Sequence, residues 1–234
     1  MQVEIWSDVV CPWCYIGKRR FEAALAQFAH RDQVEIVWRS FELDPHASRT
    51  SNESLNEVLA KKLGVSPARA AAMNAQVTAL AAEEGLDYHL DQARHGNTFD
   101  AHRLIHLAET HGLQAAAKER LLRGYFTEGH AISDAEALTA LGVEIGLPAD
   151  EVRSVLSSDA YADDVRADER RAQQLGISGV PFYVIDGTYG ISGAQPATAF
   201  LSALEQIWAE AHPSTPVAAG VTDAAACEDG SCTI

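Results

Sequence analysis

Two cysteines separated by two residues, Cys11-Pro12-Trp13-Cys14, are the residues best suited to chemistry in this chain. They follow Val3-Glu4-Ile5-Trp6, a short strand-like run. They open a stretch in which Phe21, Ala24, Leu25 and Phe28 recur at helical spacing. A thiol at the first turn of a helix meets backbone N–H groups without intrahelical acceptors and the positive end of the helix dipole. Both favour thiolate over thiol, and the thiolate is the nucleophile. Pro12 suits the first helical position, where its missing N–H would have had no partner. We therefore read Cys11 as the thiol that attacks a disulfide and Cys14 as the one that resolves the mixed disulfide. Trp13 shapes access. Unlike a histidine in that spacer, it cannot place a positive charge beside the thiolate, which predicts a less strongly oxidising couple.

The elements that must position this pair begin as strand, dithiol, helix, strand. Val34, Ile36 and Trp38 alternate as in a half-buried strand. Residues 51–175 then show no strand signal and read as a run of helices. Their starts are predicted at Asn52 or Glu53, Ser66 (with Pro67 at the first helical position), Asn97 or Thr98, Gln114, Ser133 and Pro148. Ser133-Asp134-Ala135-Glu136 has the form of a capping box. A charged helix is predicted over 159–175. Strand signals return at Phe182-Tyr183-Val184-Ile185, followed by a two-residue Asp186-Gly187 turn and Tyr189-Gly190-Ile191-Ser192. A closing amphipathic helix spans 197–211, with Phe200, Leu201, Leu204 and Trp208 toward the core. Right-handed crossover puts the first two strands parallel, so the hairpin must add an antiparallel edge. Beyond His212 the composition is one that should not pack.

The chain has 234 residues and ordinary apolar content, enough for a sizeable core without disulfide staples. Its formal charge of -15 argues against nucleic acid and anionic membrane surfaces as partners. No apolar run is long enough to span a bilayer, and no secretory signal stands at the N-terminus, which points to the cytoplasm. The four cysteines fall into two close pairs, Cys11/Cys14 and Cys227/Cys232. In a reducing compartment such pairs signify redox chemistry or metal binding rather than scaffolding.

The runs Ser7-Asp8-Val9-Val10-Cys11-Pro12-Trp13-Cys14, Asn97-Thr98-Phe99-Asp100-Ala101-His102-Arg103-Leu104, Gly179-Val180-Pro181-Phe182 and Ser192-Gly193-Ala194-Gln195 resemble the DsbA family of the thioredoxin superfamily, and within it the cytoplasmic FrnE-like branch. The resemblance reaches from the N-terminus to about His212. It implies an α/β thioredoxin fold with a mixed central sheet: residues 1–48 and 176–212 form that domain, 49–175 an all-helical insertion, and 213–234 a flexible C-terminal tail with the second cysteine pair. It also implies a cis Val180-Pro181 bond facing the cysteines, with the Val180 backbone free to pair with a substrate peptide. Read without the resemblance, Pro181 is a trans proline that starts an edge strand. Asn97, His102 and Arg103 become candidates for the wall of the site, beside structural roles, among them an N-cap for Asn97. The implied activity is protein-disulfide or small-molecule disulfide oxidoreduction. It needs no cofactor, and glutathione or another dithiol serves as redox partner.

Alternatives stand beside each reading. Cys11/Cys14 and Cys227/Cys232 together could hold zinc through four thiolates, in a chaperone-like protein. The second pair is otherwise a dithiol that exchanges electrons with the first, or an incidental disulfide. A tail of that length reaches roughly 20 Å. His102 and His106 lie four apart on one helical face, without a clear third metal ligand, and no metal is expected. Asp8 is a proton relay for Cys14 or a turn residue. Lys18 and Arg19 read as solvated residues of the first helix. A glutathione-dependent isomerase or transferase, like 2-hydroxychromene-2-carboxylate isomerase or the kappa-class transferases, would share the architecture. Those enzymes usually carry serine where Cys11 stands, and their glutathione-holding turn corresponds to Gly193-Ala194-Gln195, which lacks the serine and acid.

Overall fold

The computed structural model describes residues 1–49 and 53–213. The order is β1 (Gln2–Ser7), α1 (Pro12–Gln27), β2 (Glu35–Ser40), α2 (Leu55–Leu63), α3 (Pro67–Glu83), α4 (Phe99–Thr110), α5 (Gln114–Phe126), α6 (Ala135–Glu144), α7 (Ala149–Leu156), α8 (Ala162–Gln174), β3 (Phe182–Ile185), β4 (Tyr189–Ser192) and α9 (Ala197–Ala211). The strands form one sheet in the order β2-β1-β3-β4. β1 and β2 run parallel, with Val3 opposite Ile36; β3 runs antiparallel to β1, with Ile5 opposite Tyr183, and β4 antiparallel to β3, with Tyr183 opposite Ile191. This mixed sheet, interrupted by helices between β2 and β3, is the thioredoxin fold with a helical insertion that the resemblance implies.

β1 is central and covered on both faces. Val3 and Ile5 pack with Phe21 of α1, Tyr183 and Phe200 of α9. Trp6 faces the other way, with Ala172 of α8, Ile177 and Val184, and its Nε1 donates to Asp168 O at 3.1 Å. Glu4 is buried on that same face and held by Arg39 at 2.7 Å and Arg171 at 2.6 Å. Phe21, Phe200 and Leu204 are almost wholly withdrawn from water, each contributing about 1.5–3 kcal/mol of apolar burial. The same core continues into the insertion through Leu104, Leu121, Leu122, Leu138 and Val152.

Several boundaries differ from the sequence expectation, each for a local reason. β2 does not alternate cleanly, because Val37 and Trp38 are both buried. α8 packs against this strand, and Gln114 at the start of α5 bonds to both the N–H and the C=O of Trp38. α2 starts at Leu55, where Ser54 and Glu57 form a capping box, rather than at Asn52 or Glu53. At α6 the cap is Asp134, whose carboxylate accepts from Ala137 N at 2.8 Å. Ser133 instead donates to Arg49 O at 2.6 Å. α8 begins at Ala162, after Tyr161 takes a left-handed backbone with φ 62°. The β3–β4 turn has three residues rather than two: Ile185 pairs with Tyr189, and Asp186 and Gly187 both adopt positive φ. α9 matches its predicted span.

Candidate active site

Cys11 is the extended N-cap of α1, with Pro12 at the first helical position. Cys14 N donates to Cys11 O at 3.0 Å, closing the first turn over the pair. Tyr88 pins that turn from the insertion, its hydroxyl donating to Pro12 O at 2.8 Å. The Val180-Pro181 bond is cis. Cys11 Sγ lies 3.5 Å from Val180 O, so the proline loop faces the dithiol. Gly17 permits this close approach. A Cβ there would sit 2.7 Å from the Tyr183 hydroxyl and 3.0 Å from Pro181 Cγ.

Both sulfurs are nearly buried, Cys11 being 4% and Cys14 1% exposed, whereas Trp13 is 43% exposed. Cys11 is thus less open than a bare helix tip suggests. It faces a cavity of about 520 Å³ between the sheet domain and α2–α3. Val10, Leu55, Leu59, Val77, Leu80 and Phe126 make most of its wall apolar, with Lys62, Asn74 and His95 among the few polar groups.

Behind the dithiol lies a buried polar cluster. Asp8 is fully buried and accepts from Val9 N at 2.7 Å and Leu43 N at 2.8 Å, and pairs with His102 Nε2 at 3.2 Å. Burial alone would raise its pKa. The His102 hydrogen bond and charge, the Leu43 N–H and the Lys118 ammonium outweigh it and hold the carboxyl below its ordinary range. Lys118 of α5 is 1% exposed and donates to Ser7 O at 3.0 Å. Burial pulls its ammonium down to about 8 against the attraction of Cys14, Asp8 and Cys11.

The two thiols titrate together. For Cys14, burial is overcome by the hydrogen bond from Cys11, the Lys118 charge, the otherwise unpartnered Ser7 hydroxyl and the Asp8 backbone, and its pKa falls. Cys11 is pushed well up by its hydrogen bond to Cys14, by burial and by the charge on Cys14. Their coupling thus draws the two ionisations apart, Cys14 downward and Cys11 upward. Sequence reasoning put the anion on Cys11 through the helix tip alone. In the folded chain the order is reversed: the Cys11 hydrogen bond and the Lys118 charge lower the Cys14 thiol, while Cys11 is raised.

The other sequence candidates scatter. Asn97 caps the approach to α4, its Oδ1 accepting from Phe99 N at 2.9 Å and its amide reaching Glu42 at 3.3 Å. His102 joins Asp8 behind the dithiol. Arg103 turns away from it: its guanidinium binds Asp100 and the carbonyls of Val155 at 2.7 Å, Ser158 at 2.5 Å and Ala160 at 3.1 Å, closing the C-terminal end of α7. His102 and His106 do not converge, since His106 pairs with Ser40 at 3.1 Å and Asp168 at 3.3 Å. Among the described residues no group of three His, Cys, Asp or Glu side chains is placed to hold a metal. Lys18 is not solvated. It is 5% exposed and, with Arg19 and Tyr15, grips Glu119 of α5. Cys227 and Cys232 lie outside the described residues.

Sequence reasoning missed Lys118, Tyr88 and the cavity wall. One signal was present for the lysine: it shares a helical face with Gln114, Ala117, Leu121, Leu122 and Tyr125, all buried. A lysine on an apolar stripe needs a buried partner.

The fold has counterparts among known proteins. A probable DsbA oxidoreductase of Streptomyces coelicolor has 50% identity and a TM-score of 0.86, covering 100% of this chain and 99% of that one. 2-Hydroxychromene-2-carboxylate isomerase shares the fold at 17% identity and a TM-score of 0.69, covering 90% and 98%. The cytosolic disulfide reductase DsbM of Pseudomonas aeruginosa, solved with GSH, does so at 18% and 0.63, covering 89% and 99%. Among the described residues no helix is long and apolar enough to cross a membrane. The model of the DSBA-like thioredoxin domain matches residues 2–205, and the chain belongs to that family.

Proposed function

We propose that this chain is a thiol–disulfide oxidoreductase that reduces or isomerises protein or small-molecule disulfides. The observation that carries the reading is the Cys11 sulfur at the helix tip, 3.5 Å from Val180 O and facing an apolar cavity. Cys11 passes its proton to the Cys14 thiolate and, as thiolate, attacks one substrate sulfur. The substrate S–S bond breaks, and the leaving thiolate takes up a proton. Cys14 then attacks the Cys11 sulfur of the mixed disulfide and releases the second substrate thiol. The substrate gains two electrons and two protons, and a Cys11–Cys14 disulfide remains. Glutathione or another dithiol returns it to the reduced form, and the exchange requires no metal or organic cofactor. Pro12 and Trp13 frame the entrance. The Val180-Pro181 backbone docks an extended substrate segment, and the cavity accepts its apolar neighbours. In a reducing cytoplasm the disulfide form is transient, which favours reductase or isomerase turnover over net oxidation. The cytosolic reductase among the structural neighbours supports that direction. The Cys227/Cys232 pair acts as a second dithiol feeding the first, and a chain ending at His212 should turn over more slowly with the same reductant.

The test is reduction of a protein disulfide by the full chain and by Cys11→Ser. Loss of turnover in the variant is expected. Undiminished turnover would refute the reading, and isomerisation of a chromene acid that survives Cys11→Ser would make the protein an isomerase instead. Bound zinc without thiol turnover would make it a metal-binding protein.

A further inference from the structure

We infer that Lys118, supplied by the helical insertion, is the counter-ion of the active-site dithiol and a positioning residue that sets its redox potential. The inference rests on the oxidoreductase reading. Lys118 lies in the middle of α5 and is 1% exposed. Its ammonium donates to Ser7 O at 3.0 Å, at the end of β1, and stands 5.6 Å over the Trp38 ring. Among the described residues it forms no carboxylate ion pair within 4.0 Å. A buried ammonium without a counter-charge is costly. The charged groups that act on it are Cys14 of α1, Asp8 after β1 and Cys11 at the N-cap of α1, which attract it, and Lys18 on α1, which repels it. Asp8 is already held by His102 and two backbone N–H groups. Of the groups that attract Lys118, the dithiol is the one whose charge changes with its redox state.

The consequence follows from electron balance. The reduced site reacts from the state in which one of its two thiols has lost its proton, because the thiolate is the nucleophile. With one further proton from solvent, it passes two electrons to a substrate disulfide, releases two substrate thiols, and becomes a neutral Cys11–Cys14 disulfide. Oxidation therefore removes the charge that Lys118 faces. The ammonium stabilises the reduced form over the oxidised one and makes the couple more oxidising. The Pro12-Trp13 spacer carries no cation of its own, and Lys118 provides one from another part of the fold.

The test uses the full chain and its Lys118→Gln and Lys118→Met variants, equilibrated with reduced and oxidised glutathione and titrated for thiolate absorbance. The expected result is a shift of about tenfold toward the disulfide, about 30 mV in potential, and a higher pH midpoint for the thiolate. A merely structural lysine would cost the reduced and oxidised forms equal stability, whereas a counter-ion is missed mainly by the reduced form. An unchanged potential and midpoint, or equal losses in both forms, would overturn the inference while leaving Cys11 chemistry intact. Should neither variant fold, the wild type decides: its thiolate absorbance must appear at a lower pH in the folded chain than in the urea-unfolded chain, and a midpoint at or above the unfolded one overturns the assignment. Loss of the Cys11→Ser effect, by contrast, would remove the oxidoreductase reading itself.

Discussion

Replacing Glu119 by glutamine should loosen the joint between α1, which carries the dithiol, and α5, which carries Lys118. Glu119 receives Lys18 Nζ at 2.6 Å, the Tyr15 hydroxyl at 2.6 Å and the Arg19 guanidinium. Burial would raise its pKa, yet Arg19, Lys18 and Tyr15 draw it down to about 2 from an ordinary 4.5. That difference favours the folded anion by about 3 kcal/mol. The side chain is 31% exposed, and solvent screening reduces the figure to about 2 kcal/mol. The sign is that of a depressed carboxyl: the contribution is complete above 4.5 and is lost as pH falls through about 2. Urea unfolding of wild type and Glu119→Gln at a series of pH values isolates this group from the other acids. The two curves should differ by about 2 kcal/mol near neutrality and converge in strong acid. A difference that is absent at neutral pH, or equally large at the acid end, would refute the assignment.

Three further outcomes are expected. Cys14→Ser should stop after the first exchange, so that a Cys11 mixed disulfide accumulates and is seen by mass spectrometry; free turnover would refute the resolving role. Val77 is 7% exposed on the cavity wall, so Val77→Trp should raise KM several-fold for bulky apolar disulfides while sparing small ones, and an equal effect on both would deny the cavity a part in binding. Arg103→Ala should lose about 3 kcal/mol in chemical denaturation, because it leaves buried Asp100 to the largely exposed Arg49 at 3.0 Å and removes the donor to the carbonyls ending α7; a loss under about 1 kcal/mol would contradict the bonding described.

Much of the architecture was legible because its signals are local. The spacing of Cys11 and Cys14 behind a strand, Pro12 at the first helical position, the period of α9 and the parallel β1–β2 crossover each follow from short-range sterics and periodicity. Boundaries slipped where neighbouring polar side chains competed for one role. Ser133 was drawn to Arg49 and left the cap to Asp134, and Asp186-Gly187 took Thr188 into its turn. The sequence by itself determined where two thiols stand at a helix start and on what kind of scaffold. Only the tertiary structure decided which charged groups are buried behind them. It brings Lys118 and His102 of the insertion against Ser7 and Asp8, about a hundred residues away in sequence, and it buries them together. Periodicity marks a lysine on an apolar face as unusual but cannot name its partner, because ionisation energies depend on distances and burial across the chain.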